Sequence, residues 1–204
     1  MAGISSFAAG CDRSTASQRT IPYKPDVPIA NRLLPGDKEV LIQMELGSRA
    51  DSGPGESFEQ ELQRLRRAEI IALVRVATVS GEIPDRATIV RTRVTGQIDS
   101  LVKGPKDKPL GPSIEFAFDG GTAQIGNVVV TTGKFPRFIE GEQYLVLLRA
   151  QPGTASWLAW GGIGFRVDAQ GVLQRIKISD GGEQSFRTSL VGRNVSDVIE
   201  ALER

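Results

Sequence analysis

The residues that could carry chemistry in this chain are few, because its sequence holds no histidine and a single cysteine. The absence of histidine excludes Ser-His-Asp and Cys-His catalysis and the usual zinc sites. One cysteine, Cys11, allows neither an intramolecular disulfide nor a cysteine-based metal cluster. The candidates that remain are carboxylates, Cys11 itself and exposed aromatic side chains.

Carboxylate pairs can run acid–base chemistry without histidine, as they do in glycosidases. The nearest candidates are four acidic residues: Glu115, Asp119, Glu140 and Glu142. Each is predicted at a turn or on the outer face of a strand, where acidic residues are common in any soluble protein. We therefore expect no catalytic residue, no metal site and no cofactor, and a carboxylate-based hydrolase stays an alternative function.

Cys11 follows Ala8-Ala9-Gly10, small residues of the type that precedes a lipid-modified cysteine in bacterial lipoproteins. The polar run over 12–20 resembles the flexible tether of such proteins. Residues 1–7, in contrast, are too few and too weakly apolar for a signal peptide, and they include no basic residue. Lipidation of Cys11 and an incidental exposed thiol are therefore both open.

Trp157 and Trp160 lie in the segment Ser-Trp-Leu-Ala-Trp-Gly-Gly. A spacing of three along a strand directs two side chains to opposite faces, so we expect one tryptophan in the core and the other exposed. An exposed tryptophan beside glycines could contact a sugar or a peptide side chain. Packing beneath a loop is the alternative.

The charge of the chain is balanced, with 25 basic against 24 acidic residues and a formal net charge of +1. Such a balance gives no general attraction to nucleic acid or to an anionic membrane. A single-stranded nucleic-acid-binding OB-fold, which needs a basic groove with exposed aromatic side chains, is a second alternative function. No run of about 18 apolar residues occurs, so no transmembrane segment is predicted.

The first 56 residues differ in composition from the rest of the chain. Residues 1–56 hold five prolines and the Gly/Ser/Asp stretch 47–55, and such a segment is expected to be largely extended or mobile. An apolar island over 39–46 could form a short strand or a docked peptide. We divide the chain into this segment and a single β-barrel-like domain over 57–204.

The second part reads as strands and turns between two short helices. Ser57 and Gln60 form a capping-box pattern that predicts a helix over 57–68, and the pattern over 196–202 predicts another. Strands are predicted at 70–79, 87–95 with a continuation over 97–103, 114–118, 127–132, 143–149, 157–160, 165–168 and 172–178.

Many short strands favour a mainly β fold, a small antiparallel OB-like barrel with a short helix before its first strand and a C-terminal helix. Closing the sheet would remove exposed strand edges. A two-sheet sandwich is the alternative, and periodicity does not separate the two.

Residues 69–171 also resemble a known group of proteins. The strand pair leads to Leu101-Val102-Lys103-Gly104, and Asp119-Gly120-Gly121 and Pro136-Arg137-Phe138 with Gly141-Glu142 follow. The strand 144–148 and then Gly164-Phe165-Arg166-Val167-Asp168 with Gly171 complete the pattern. In these motifs the chain is similar to uncharacterised bacterial envelope proteins with an OB-like barrel of the netrin/tissue-inhibitor type.

The resemblance implies a fold and an envelope compartment, but no activity. The inhibitor branch of that module presents a disulfide-tethered N-terminal cysteine to a metalloprotease zinc. Because this chain cannot form an intramolecular disulfide, that role is not carried over to Cys11.

These observations predict a non-enzymatic binding or interaction module that engages another envelope protein through the barrel surface, and the N-terminal segment is a second candidate contact surface. The expected location is the periplasm or cell envelope, with a lipid anchor if Cys11 is modified. If Met1 is the true start, the expected location is the cytoplasm instead.

Overall fold

The computed structural model describes residues 18–44, 57–105, 109–150, 157–179 and 188–204, and for 158–163 it describes the backbone alone. Within these residues the chain is mainly β and carries two helices. The strands are β1 (Gln18–Pro22), β2 (Glu39–Gln43), β3 (Ile70–Glu82), β4 (Arg91–Lys103), β5 (Ser113–Asp119), β6 (Gly121–Ile125), β7 (Val128–Thr132), β8 (Gln143–Ala150), β9 (Trp157–Val167) and β10 (Leu173–Gln174). The helices are α1 (Phe58–Leu65) and α2 (Val195–Glu203).

The larger sheet has the strand order β10-β9-β5-β4-β3-β8, and β9 pairs with β8 as well. Its pairs are antiparallel except for β5 and β9, which run parallel where Phe116 lies opposite Trp157. On its other side β9 is antiparallel to β8, with Phe165 opposite Leu145. Strand β9 therefore has a hydrogen-bonded neighbour on both sides.

Alternation along β3 sorts its side chains onto two faces. Ile70, Ala72 and Val74 face an inner cluster that also receives buried side chains from β4, β5 and β8. The ring of Phe138 fills one part of that cluster, with its centroid 4.6 Å from that of Tyr144. The inner cluster is thus filled by protein side chains.

The other face of β3 packs against both helices. Ile71 joins Leu62 and Leu65 of α1 and Val198 and Leu202 of α2 in an outer cluster. The predicted capping box of α1 is present, because the Gln60 backbone N–H donates to Ser57 Oγ and the Ser57 N–H donates to the Gln60 side chain. Both predicted helices are confirmed.

A smaller sheet has the strand order β1-β2-β7-β6. Strand β2 confirms the short strand predicted within 39–46, and it is parallel to both β1 and β7. Parallel pairing of β1 and β2 needs a crossover, which residues 23–38 provide with a 3-10 turn at Ile29–Arg32. The division at residues 56 and 57 stays a prediction, but residues 18–44 pack against the following chain, with Ile29 and Val40 buried beside Val130.

Some strand boundaries differ from those predicted. Residues 83–90 lie outside the strands, and β4 runs without a break from Arg91 to Lys103. The two strands predicted at 157–160 and 165–168 are one strand, β9, because Gly164 lets it continue closely along β8. Strand β6 was not predicted, since only Gly120 separates it from β5.

The two sheets meet where β3 passes under β6. A Cβ atom built on Gly81 would lie 1.8 Å from the carbonyl oxygen of Thr122. Because that atom belongs to the backbone, no side-chain rotation can relieve the clash. The contact requires glycine at position 81.

We predict that Gly81→Ala lowers the free energy of unfolding by about 2 kcal/mol, since overpacking of this kind forces a backbone shift. The matched control is Gly111→Ala, where a Cβ would meet no atom within 4 Å. The control should stay within about 1 kcal/mol of the wild type. Urea unfolding of the three proteins measures both values, and equal stability of the two variants would contradict the packing described.

Candidate functional site

The residues singled out in the sequence have different positions in the structure. Cys11 lies outside the described residues. Trp157 is partly buried and packs against the inner cluster. Trp160 belongs to β9, but its side chain lies outside the described part of the chain. The expectation that the two tryptophans face opposite ways stays a prediction.

The four candidate carboxylates each have a partner. Glu115 pairs with Arg93, and Asp119 lies 3.8 Å from Nε of Arg91. Glu140 accepts the backbone N–H of Val79 at 3.3 Å. Of the four, only Glu142 is among the residues that line the pocket described next.

An open pocket of about 470 Å³ lies where three neighbouring strands come side by side. Arg75 of β3 is opposite Gln143 of β8, and Gln143 is opposite Val167 of β9. The pocket is lined by Arg75, Gly141, Glu142, Gln143, Arg166, Val167, Asp168 and Ala169. We call it the rim pocket, because it lies at the start of β8 and the end of β9.

A buried tyrosine forms one side of the rim pocket's polar network. Tyr144 is fully buried, and its hydroxyl donates to Glu142 at 2.9 Å and accepts the Ile139 N–H at 3.1 Å. Arg166 Nη1 donates to the other carboxylate oxygen of Glu142 at 3.2 Å. Burial, and then the hydrogen bond to Glu142, raise the pKa of Tyr144 above its usual value. The hydroxyl is thus held neutral, as a donor.

A second network lies on the β3 and β4 side. Arg75 Nη2 donates to Asp99 at 2.9 Å, and the side-chain amide of Gln143 donates to the same oxygen at 2.6 Å. Arg75 Nη1 lies 3.5 Å from the carbonyl oxygen of Gly141. The arginine is therefore held between β4 and the loop that leads into β8.

Asp168 organises the turn that follows β9. Its carboxylate accepts the backbone N–H groups of Val172 at 2.8 Å and Gln170 at 3.0 Å. The amide of Gln174 donates to the second oxygen at 2.8 Å. The bond from Val172, followed by that from Gln174, lowers the pKa of Asp168. Asp168 therefore stays ionised and fixes this edge of the pocket.

The outer face of β4 and β5 is charge-balanced. Arg93 donates to Glu82 at 2.9 Å and also pairs with Glu115. Thr78 of β3 lies opposite Thr95 of β4, and their hydroxyl groups form a hydrogen bond of 2.6 Å. Charges that neutralise each other across strands do not form a basic stripe.

A second cavity, of about 290 Å³, lies between the β3–β4 loop and β6. Its lining is mixed, with apolar residues such as Pro28 and Ile83 beside the charged residues Asp85 and Arg86. Arg86 has a left-handed backbone with φ of 59°. The rim pocket carries more charged groups and is the stronger candidate site.

Comparison with protein-family models, curated proteins and solved structures finds no match to this chain. Neither helix among the described residues is long and apolar enough to cross a membrane. Across the same residues, no three His, Cys, Asp or Glu side chains come together as a metal-ion site.

Sequence reasoning missed Arg75, Arg166 and Asp168 as members of one site. A local signal was present, because Arg75 and Arg166 are single charges inside apolar strands. Charged residues at such positions need a partner, and only the register of β3, β8 and β9 shows that they share a pocket.

We predict that Tyr144 does not ionise near pH 10 while the chain is folded, since its pKa is raised. The contribution of this group to stability is present below the unfolded pKa of about 10 and is lost as the pH rises through the folded value. The chain has two tyrosines, so in the Tyr23→Phe variant any tyrosinate absorbance comes from Tyr144. Tyrosinate absorbance should then appear only together with unfolding, and ionisation near pH 10 in the folded variant would contradict the network.

Proposed function

We propose that this chain is a non-enzymatic binding module and that the rim pocket is the surface that receives another protein. The observation that carries the proposal is the convergence of Arg75, Arg166 and Asp168 on one open pocket. Arg75 comes from β3, Arg166 from the end of β9 and Asp168 from the turn that follows β9, and each is held in place by hydrogen bonds. A preorganised polar surface of this kind binds with little cost in side-chain entropy.

The strand pairings support an OB-like barrel as the scaffold. Neighbouring strands pair in the order β3, β4, β5, β9 and β8, and β8 pairs with β3 again. This order is the one expected of an OB-like barrel, and each of the five strands has a hydrogen-bonded neighbour on both sides over part of its length. Because the inner cluster is filled, a partner would bind at the rim or on the outside.

The hydrogen bonds of the carboxylates favour binding over hydrolysis. A glycosidase-type mechanism needs a carboxylic acid that can release a proton near neutral pH. Asp168 has a lowered pKa, and Glu142 is bonded to Arg166 and Tyr144. Both side chains therefore suit the role of fixed polar contacts.

The outer face of β4 and β5 favours a protein partner over single-stranded nucleic acid. Its central arginine, Arg93, is shared between Glu82 and Glu115. A polypeptide partner also fits Ile139, which is 43% exposed and donates its N–H to the Tyr144 hydroxyl behind the pocket. An apolar side chain next to charged groups is typical of the rim of a protein interface.

The resemblance of residues 69–171 to envelope proteins supports an envelope location, and Cys11 after its small-residue run supports a lipid anchor there. Both belong to the same proposal. The host's own protein, isolated by cell fractionation, would then carry a lipid on Cys11 or a processed N-terminus.

The experiment places a photoreactive amino acid at Ala169, which is exposed and lines the rim pocket. The control site is Val129, which is 37% exposed on β7 of the smaller sheet. In the native host we expect a protein cross-link from position 169 and none from 129, with the product in the envelope fraction. Intact mass of the purified protein reads the state of Cys11 in the same preparation.

Cross-links from both positions to the same proteins, or none from position 169, would contradict the rim pocket as the binding surface. Cytosolic protein with an unmodified Cys11 would contradict the envelope location and the anchor.

A further inference from the structure

We propose that the rim pocket binds carboxylate groups, presented by an acidic segment of the partner polypeptide, with Arg75 donating to one carboxylate and Arg166 to another. This inference rests on the proposed binding function and names the chemistry of its ligand. It follows from a count of hydrogen-bond donors and acceptors around the pocket.

The carboxylates at the pocket already have donors. Asp168 accepts three hydrogen bonds from the turn that follows it. Glu142 accepts one from Tyr144 and one from Arg166, and Asp99 accepts one from Arg75 and one from Gln143. Because these carboxylate oxygens already accept hydrogen bonds within the chain, they offer few free acceptor positions to a ligand that brings donors.

The arginines, in contrast, have donors to spare. A guanidinium carries five N–H groups. Arg75 uses one for Asp99 and directs another at the Gly141 carbonyl, and Arg166 uses one for Glu142. Nε of Arg166 is buried and has no hydrogen-bond partner within the described part of the chain. A ligand rich in acceptors would satisfy this surplus.

The charge of the lining selects among acceptor-rich ligands. Two arginines and two carboxylates, Glu142 and Asp168, line the pocket, and Asp99 is bonded to Arg75 beside it, so the surroundings carry no net positive charge. A doubly charged phosphate would place both of its charges at one point between these two carboxylates, whereas an acidic segment brings a single charge to each arginine. The planar guanidinium also matches a carboxylate with two parallel hydrogen bonds.

The location of the two arginines suits an extended acidic segment. Arg75 is on β3 and Arg166 on β9, with β8 between them. Strands separated by one neighbour are about 10 Å apart, so a segment that crosses the rim could bring one carboxylate to each arginine. Arg75 is about half exposed and Arg166 about a third, so both guanidinium groups border solvent.

The test is a titration of the full ¹⁵N-labelled chain, followed by NMR, with an acetylated and amidated tetraglutamate peptide. A tetraglutamine peptide and inorganic phosphate serve as comparison ligands. We expect the glutamate peptide to shift the amides of 141–143 and 166–169 and the Nε–H signals of both arginines. Tetraglutamine should leave these signals unchanged, and phosphate should bind more weakly at the same place.

Variants assign the contacts. Arg75→Gln should weaken the glutamate peptide at least tenfold, which is about 1.4 kcal/mol. Arg166→Gln should do the same, and its spectrum shows whether the fold is retained when Glu142 keeps only its hydrogen bond from Tyr144. Arg86→Gln, an exposed arginine in the β3–β4 loop, is the matched control and should bind like the wild type.

The proposal is overturned if the glutamate peptide causes no shift at the rim pocket, if tetraglutamine causes the same shifts, or if Arg86→Gln weakens binding as much as Arg75→Gln. Tighter binding of phosphate at the same residues would also overturn it, in favour of a phosphate ester. A cross-link from position 169 together with a failed titration would leave the binding module standing and reject only the carboxylate.

Discussion

Strand β9 hydrogen-bonds to β5 on one side and to β8 on the other, and the rest of the structure depends on this double pairing. At Gly164 the two strands are so close that a Cβ atom would lie 1.9 Å from the carbonyl oxygen of Leu145, and φ there is +127°. The pairing brings the C-terminal end of β9 beside the start of β8. Arg166 reaches Glu142, and Asp168 reaches the edge of the pocket, because the backbone is fixed in this register.

The polar network at the rim is continuous with the core below it. Tyr144 packs with Phe138 in the inner cluster while its hydroxyl bonds to Glu142 at the pocket. A buried hydroxyl without partners would cost free energy, so the fold and the pocket stabilise each other at this residue. The same principle operates at α1, where buried Glu61 accepts hydrogen bonds from Thr188 and Ser189 and holds the chain before α2.

Local sequence patterns predicted most helices and strands, but not which strands pair or in which register. The capping box of Ser57 and the β-branched run over 70–79 are each contained in a short stretch of sequence, and α1 and β3 follow from them. The rim pocket depends on register between β3, β8 and β9, which join residues up to about 90 positions apart, and periodicity holds no such information. Strand β1 was obscured by prolines, because a strand of five residues with a buried Ile21 resembles a loop in a proline-rich setting, and its parallel pairing with β2 is not visible in the sequence.

Strand β9 is hydrogen-bonded to β5 and to β8, and this double pairing positions the rim pocket. Amide hydrogen exchange, resolved by NMR, tests it most directly. If the pairing is present, the hydrogen-bonded amides of β9 exchange as slowly as those of β3 and β8, only through global unfolding. Exchange of β9 as fast as that of β1, which lies at the edge of the smaller sheet, would contradict it.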